Sequence, residues 1–313
     1  MAVRSDGDSV YESSEPDFEE KKQKLFEEIE TQLKQDPTVL AFVGRHFGAD
    51  ESQILVDYPN LKTVTKLDLR DNQLGLPEMK RLFEAEGLAQ LLELDLSINF
   101  VTTEAVVEIA RSAEVKMKRL RALSLEDNRL KDPAGVAIAQ SENFAELEWL
   151  NLSWNEIGSE TAHAMGQSKT LSHLKSLNLE RNYVGEEGGG LLFDGEGLKA
   201  LEVLNLAGNR MGDEGVVAFA QSNIAPGLKT LWLTNNAIDE EGARALGESE
   251  HLKSLETLYI GRNYFKDHGA KILYEHTALP NLKNLVLREE MSEEAGFVNY
   301  SRPELLRPEA EAG

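Results

Sequence analysis

An asparagine recurs at positions 72, 99, 128, 155, 182, 209, 236 and 263, a step of 27 residues broken once by a step of 29 between Asn99 and Asn128. Each stands at the same place in the pattern Leu-x-x-Leu-x-Leu-x-x-Asn-x-apolar. Two copies are Val64, Leu67, Leu69, Asn72, Leu74 and Leu201, Leu204, Leu206, Asn209, Met211. A ninth, truncated copy keeps Leu282, Leu285 and Leu287 but has Glu290 in place of the asparagine. A period of this length is the mark of units that cannot bury an apolar face alone and must stack. The stack grows linearly, so all 313 residues need no second core.

Each unit reads as two halves. The alternating Leu-x-Leu is a short strand whose leucines point to the core, and strands of successive units pair in parallel about 4.8 Å apart. The asparagine closes the turn out of the strand, where its amide both donates to and accepts from backbone groups that the turn leaves unpaired. The second half is a helix, as in Asp213–Ser222 and Glu240–Ser249, with acids in its first turn to suit the helix dipole. Gly188, Gly215, Gly242 and Gly269 each lie six residues after an asparagine. Glycine weakens a helix, so a close approach to a strand or a neighbouring helix is expected there.

The formal net charge is −22. That argues against a nucleic-acid binder, which needs a basic stripe, and suits attraction of a basic partner. There is no cysteine, hence no disulfide framework and no thiolate chemistry. No apolar leader opens the chain, and no run approaches the ~20 apolar residues of a membrane span. These features read as a cytosolic, acidic monomer without cofactor or metal.

Residues 1–16 are acidic, serine-rich and aperiodic, and read as a disordered lead. Residues 17–60 read as a helical N-terminal cap. Asp17 and Glu20 resemble a capping box, Phe18, Leu25, Phe26, Ile29 and Leu33 mark one helix face, and Asp36-Pro37 ends it. A second helical or irregular stretch covers roughly 38–58. The solenoid itself is assigned to 61–290, about nine units. A C-terminal cap and tail follow over 291–313. Arg288, Glu289, Glu290, Glu293 and Glu294 would guard the last strand's edge with charge, Phe297, Val298 and Tyr300 would fold back over it, and 302–313 would fray.

The full unit, such as Leu201 to Gly215, resembles the ribonuclease-inhibitor-like subfamily of leucine-rich repeats, which includes the Ran GTPase-activating protein and the sensor region of NOD-like receptors. The resemblance implies an α/β solenoid, a horseshoe with a parallel sheet on its concave face and helices on its convex face. Ribonuclease inhibitors are cysteine-rich and alternate two repeat types. This chain does neither, so inhibition of ribonucleases does not carry over.

The strand positions between the leucines face the hollow of that horseshoe. The first three units place six acids there (Asp68, Asp71, Glu93, Asp95, Glu126, Asp127) against two bases, Lys66 and Arg70. All three tryptophans of the chain, Trp149, Trp154 and Trp232, fall on hollow-facing positions, and Tyr259 adds a fourth ring. Exposed Trp and Tyr are typical anchors of an interface. The alternative is that they cover the sheet, stacked on each other or on Arg181. Asn178, Arg181 and Arg262 complete the candidate partner-binding set with Asp68, Asp95, Glu126 and Asp127.

Catalysis finds little support. The six histidines sit mostly on helices or helix ends, none in the hollow and none with metal-ligand spacing. The glycine-rich run 185–190 lacks the Lys-Ser/Thr of a phosphate loop. Asp68 and Asp95 lie one strand apart but have no apolar pocket around them to set a catalytic pair. The expected function is therefore a non-enzymatic module that grips a partner protein, one with a basic patch, in its hollow. The second reading, from the resemblance, is a regulator of a small GTPase, with Arg70 as its candidate residue. A repeat segment of pathogen or symbiont origin acting inside a host cell is a third, with no fused catalytic domain to support it.

Overall fold

The computed structural model describes residues 17–223, 226–265, 267–275, 279–287, 292–294 and 297–299. The lead over 1–16, the edge charges Arg288, Glu289 and Glu290, Tyr300 and the tail over 302–313 lie outside them.

Ten strands of three residues each form one parallel sheet in strict chain order. They are β1 (Val39–Ala41), β2 (Lys66–Asp68), β3 (Glu93–Asp95), β4 (Ala122–Ser124), β5 (Trp149–Asn151), β6 (Ser176–Asn178), β7 (Val203–Asn205), β8 (Thr230–Trp232), β9 (Thr257–Tyr259) and β10 (Asn284–Val286). The central leucines align across the sheet, Leu67 with Leu94, Leu150 with Leu177, Leu204 with Leu231. All of these are buried. A slip of one residue would turn every leucine into solvent, so the pattern fixes the register.

Behind the sheet stand the helices: α1 (Phe18–Gln35), α2 (Ala49–Asp57), α3 (Leu76–Phe83), α4 (Thr103–Arg111), α5 (Asp132–Ala139), α6 (Ser159–Gly166), α7 (Gly185–Leu191), α8 (Gly212–Gln221), α9 (Glu240–Gly247) and α10 (Asp267–Glu275). Short strands pair with short strands in front, helices pack on helices behind, and one continuous apolar core runs between the layers. The fold is an α/β leucine-rich-repeat solenoid with the parallel sheet on one face. The two residues added between Asn99 and Asn128 are taken up in the return loop after α4, where Val115 and Met117 are buried. The register Glu93 to Ala122 is undisturbed.

The asparagines form the expected ladder. Asn209 is fully buried. Its Nδ2 donates to the carbonyls of Leu206 in its own unit (3.0 Å) and Leu179 in the one before (2.8 Å). Its Oδ1 accepts from the Val184 amide at 3.2 Å. The same triangle recurs at Asn72, Asn99, Asn155, Asn182 and Asn263.

The sheet begins one unit earlier than the leucine spacing shows. β1 pairs with β2 in register, Leu40 against Leu67. Phe42 occupies the second core position, and Asn72 Oδ1 accepts from the amides of Arg45 and Phe47 as it would from a full repeat. Pro37 and Arg45 stand where Leu and Asn would be, which hides this unit from the pattern. In α1, Asp17 caps the helix by accepting from the Glu20 amide at 2.9 Å, and Leu25 and Ile29 are buried. Phe18, expected on the buried face, is exposed, one turn short of the contact with α2. At the far end β11 (Ser292–Glu294) and β12 (Phe297–Asn299) pair with each other antiparallel.

Candidate functional site

The strand alternation leaves the hollow floor to residues on either side of each buried leucine. Trp149 opens β5. Its in-register neighbours are Ala122 on one side and Ser176 on the other, too small to cover an indole, and 38% of Trp149 remains exposed. It forms one wall of a 460 Å³ concavity shared with Lys66, Asp68, Arg70, Glu93 and Asp95. The structure therefore brings the tryptophan and the acidic strip together.

Trp232 and Tyr259 are register partners in β8 and β9. Their rings stack with centroids 4.8 Å apart and planes 4° from parallel. Both are half-buried. They act as one flat apolar plate rather than two independent anchors.

The acids of the hollow are tied in place. Arg70 reaches Asp68 at 2.7 Å and Asp95 at 3.4 Å, and Lys66 pairs with Glu93 at 2.9 Å. Arg70, the candidate of the GTPase reading, is thus held across two carboxylates. Glu126 accepts from the Asn151 amide at 2.9 Å. Asp68, Asp95, Asn151, Asn178 and Asn205 act alike on the backbone. Each side-chain oxygen accepts the amide two residues on and closes the strand's end. Two of the predicted acids and Asn178 therefore orient the backbone as well as facing the hollow.

Burial raises the carboxyl pKa of Asp95 above its ordinary value, with the nearby Asp68 charge adding to this, while hydrogen bonds from Ser97 and the Arg70 charge oppose it. A raised folded-state pKa means the native protein binds the proton more tightly than the unfolded chain. Stability then falls as pH rises from the unfolded value, about 3.9, through the folded one. Asn in its place would keep the acceptor for Ser97, as Asn151 does for Ser153. Asp95→Asn is expected to unfold at a higher denaturant midpoint than wild type at pH 7, with the difference vanishing near pH 3. A lower midpoint at pH 7 would show that the Arg70 pair outweighs burial.

The alternation that puts Trp154, Asp127, Arg181 and Arg262 in the hollow ends with the three-residue strand. Each directly precedes a ladder asparagine and has a left-handed backbone, φ +56°, +50°, +52° and +53°. These side chains stand on the turns at the rim, not on the floor. Trp154 and Trp149 make no ring contact; instead the Arg181 guanidinium lies 4.2 Å from the Trp154 ring centre. The same rim carries residues that the strand pattern passes over, those directly after Asn128, Asn182, Asn209 and Asn263: Arg129, Tyr183, Arg210 and Tyr264. Their shared place after the asparagine was the signal.

Among the described residues no three His, Asp or Glu side chains converge as a metal ion would require, and no helix is long and apolar enough to cross a membrane.

Four stretches, residues 60–77, 147–165, 170–193 and 197–220, match the family model described as leucine-rich repeat. With the ten-stranded sheet, these matches fit the leucine-rich-repeat solenoid fold. No curated protein matches its sequence. Among solved structures it is similar to an internalin from Listeria monocytogenes, at 16% identity over 84% of this chain and 88% of that one, with a TM-score of 0.45. That likeness is too distant to bear on function.

Proposed function

We propose that this chain is a non-catalytic binding module that seats a partner protein in its hollow. The observation that carries the reading is Trp149, exposed between Ala122 and Ser176 at the edge of the acidic concavity. An indole left in water with its neighbours cut back to methyl and hydroxymethyl groups is poorly explained by packing. It is well explained as a hot spot, an aromatic anchor beside charges that select a partner. Asp68, Asp95 and Glu126 supply that selection for a basic patch, and the Trp232–Tyr259 plate supplies a second apolar contact. The unit length and its helix of seven to ten residues support placement in the ribonuclease-inhibitor-like subfamily.

The test is capture from lysate with wild type beside Trp149→Ala and Trp232→Ala, followed by affinity measurement on whatever is retained. Loss of a true anchor removes at least ~2 kcal/mol, about 30-fold in Kd. A retained protein whose affinity both variants preserve would place the partner elsewhere on the molecule.

A further inference from the structure

The chain as a whole is strongly acidic, yet one groove on it is basic. It runs along the rim, has a volume of 520 Å³, and collects four arginines: Arg129, Arg181, Arg210 and Arg262. Repetition places them. Arg129 and Arg210 each follow a ladder asparagine, and Arg181 and Arg262 each precede one. All four have left-handed backbones, φ between +52° and +57°, a conformation that long side chains rarely adopt. The repeat imposes it because the asparagine ladder fixes the turn on both sides.

Two of the guanidiniums rest on rings, Arg181 on Trp154 at 4.2 Å and Arg210 on Tyr183 at 5.2 Å. Stacking occupies the face of a guanidinium and leaves in-plane N–H donors for a carboxylate, the fork geometry that such donors match. Arg181 already turns its Nε edge to Glu180 at 3.7 Å, so its terminal nitrogens are the ones that face a ligand. Arg129 and Arg210 form no ion pair among the described residues. The one carboxylate lining the groove, Glu156, is countered by Lys131 at 3.9 Å. Gly208 and Ala237 keep its floor low, while Tyr264 is 73% exposed and Trp154 47%. From the unit of Arg129 to that of Arg262 the rim covers five strand spacings, about 24 Å, the length of some seven extended residues.

We propose that this rim groove docks an extended peptide segment rich in aspartate and glutamate. Its carboxylates seat on the four guanidiniums, and its apolar side chains lie against Trp154 and Tyr264. A nucleic acid fits worse, since its continuous phosphates would meet the field of the surrounding acidic surface. The groove is a second surface, opposite in charge to the hollow, and stands or falls independently of it.

The experiment is selection of a random twelve-residue peptide library on the whole protein, with the enriched peptides then synthesised and titrated. Enrichment of acidic sequences is expected, with affinity at least tenfold weaker for Arg181→Glu/Arg210→Glu. Affinity should also fall as salt is raised from about 50 to about 300 mM. If that variant fails to fold by circular dichroism, Arg129→Gln/Arg262→Gln serves, with an expected loss of at least threefold. The control Lys118→Glu/Lys199→Glu makes the same change in net charge on exposed positions outside the groove and should keep the affinity. The proposal is overturned by any of five results: no enrichment, enrichment of neutral or basic peptides, affinity that survives the groove substitutions, equal loss in the control, or a twelve-nucleotide oligothymidylate that binds more tightly than the selected peptides.

Discussion

Asn209→Ala is expected to lower the unfolding free energy by about 3 kcal/mol. The ladder geometry sets this figure. The carbonyls of Leu179 and Leu206 each accept from two asparagines, their own unit's and the next one's. Each therefore loses one bond and keeps one. The Val184 amide has no such reserve: among the described residues Asn209 Oδ1 is its only acceptor, and both residues are buried. An orphaned buried donor costs roughly 1–3 kcal/mol and each lost bond about 1 more. Asn209→Asp should be worse, since it turns a carboxylate toward three carbonyls, those of Leu179, Leu206 and Ala207, in a buried place. Urea titration followed by circular dichroism measures both. A loss under about 1 kcal/mol for the alanine variant would mean that water enters and replaces the amide.

Gly189→Ala tests the helix layer. On propensity alone the substitution gains about 1 kcal/mol, because alanine suits a helix and glycine does not. Space reverses the sign. A Cβ at Gly189 would lie 2.3 Å from the carbonyl oxygen of Gly215 and 2.8 Å from its carbon, both backbone atoms of α8. Gly215 is equally hemmed, with Glu186 Cα of α7 at 2.8 Å from its own Cβ position. Relief requires the two helices to part, while the register of β6 and β7 holds their units together. Overpacking of this kind costs about 1–3 kcal/mol or more, so a net loss near 2 kcal/mol is expected, read as a fall in the thermal midpoint. Gly190→Ala is the internal comparison. Its Cβ would meet only the Ala218 methyl at 3.0 Å, and it should be far better tolerated. Equal midpoints for the two would refute the close approach.

The layer architecture was legible because each residue type in a unit serves a single purpose. Leucines at fixed spacing have only the core to go to, and a buried asparagine has only the backbone to bind. The glycine of each helix start likewise announced a close neighbour, which Gly215 bears out. Legibility failed where a unit serves the same purpose with other residues. Phe42 fills a leucine's place directly after β1, and Arg45 gives its backbone amide, not its side chain, to the ladder, so nothing in the letters marks the repeat. It failed again at the strand's end. Alternation of faces is a property of extended backbone, and one left-handed residue cancels it. Trp154, Arg181 and Arg262 therefore moved from the hollow to the rim and parted company with Trp149 and the Trp232–Tyr259 plate. The candidate constellation became two surfaces of opposite charge.

The paired glycines of α7 and α8 bear on the curvature of the arc. A stack of this kind bends because helices at 8–10 Å spacing cannot match strands at about 4.8 Å, and the mismatch opens the convex side. Where two helices draw together over bare glycine, the mismatch shrinks and a straighter arc is expected. That joint lies between the units carrying Arg181 and Arg210, the middle pair of the basic rim. A straight segment of peptide can touch neighbouring units in succession only where the rim itself is nearly straight. The three consecutive glycines of α7, poor choices for a helix, thus sit where a flat stretch would let distant arginines reach one rigid ligand.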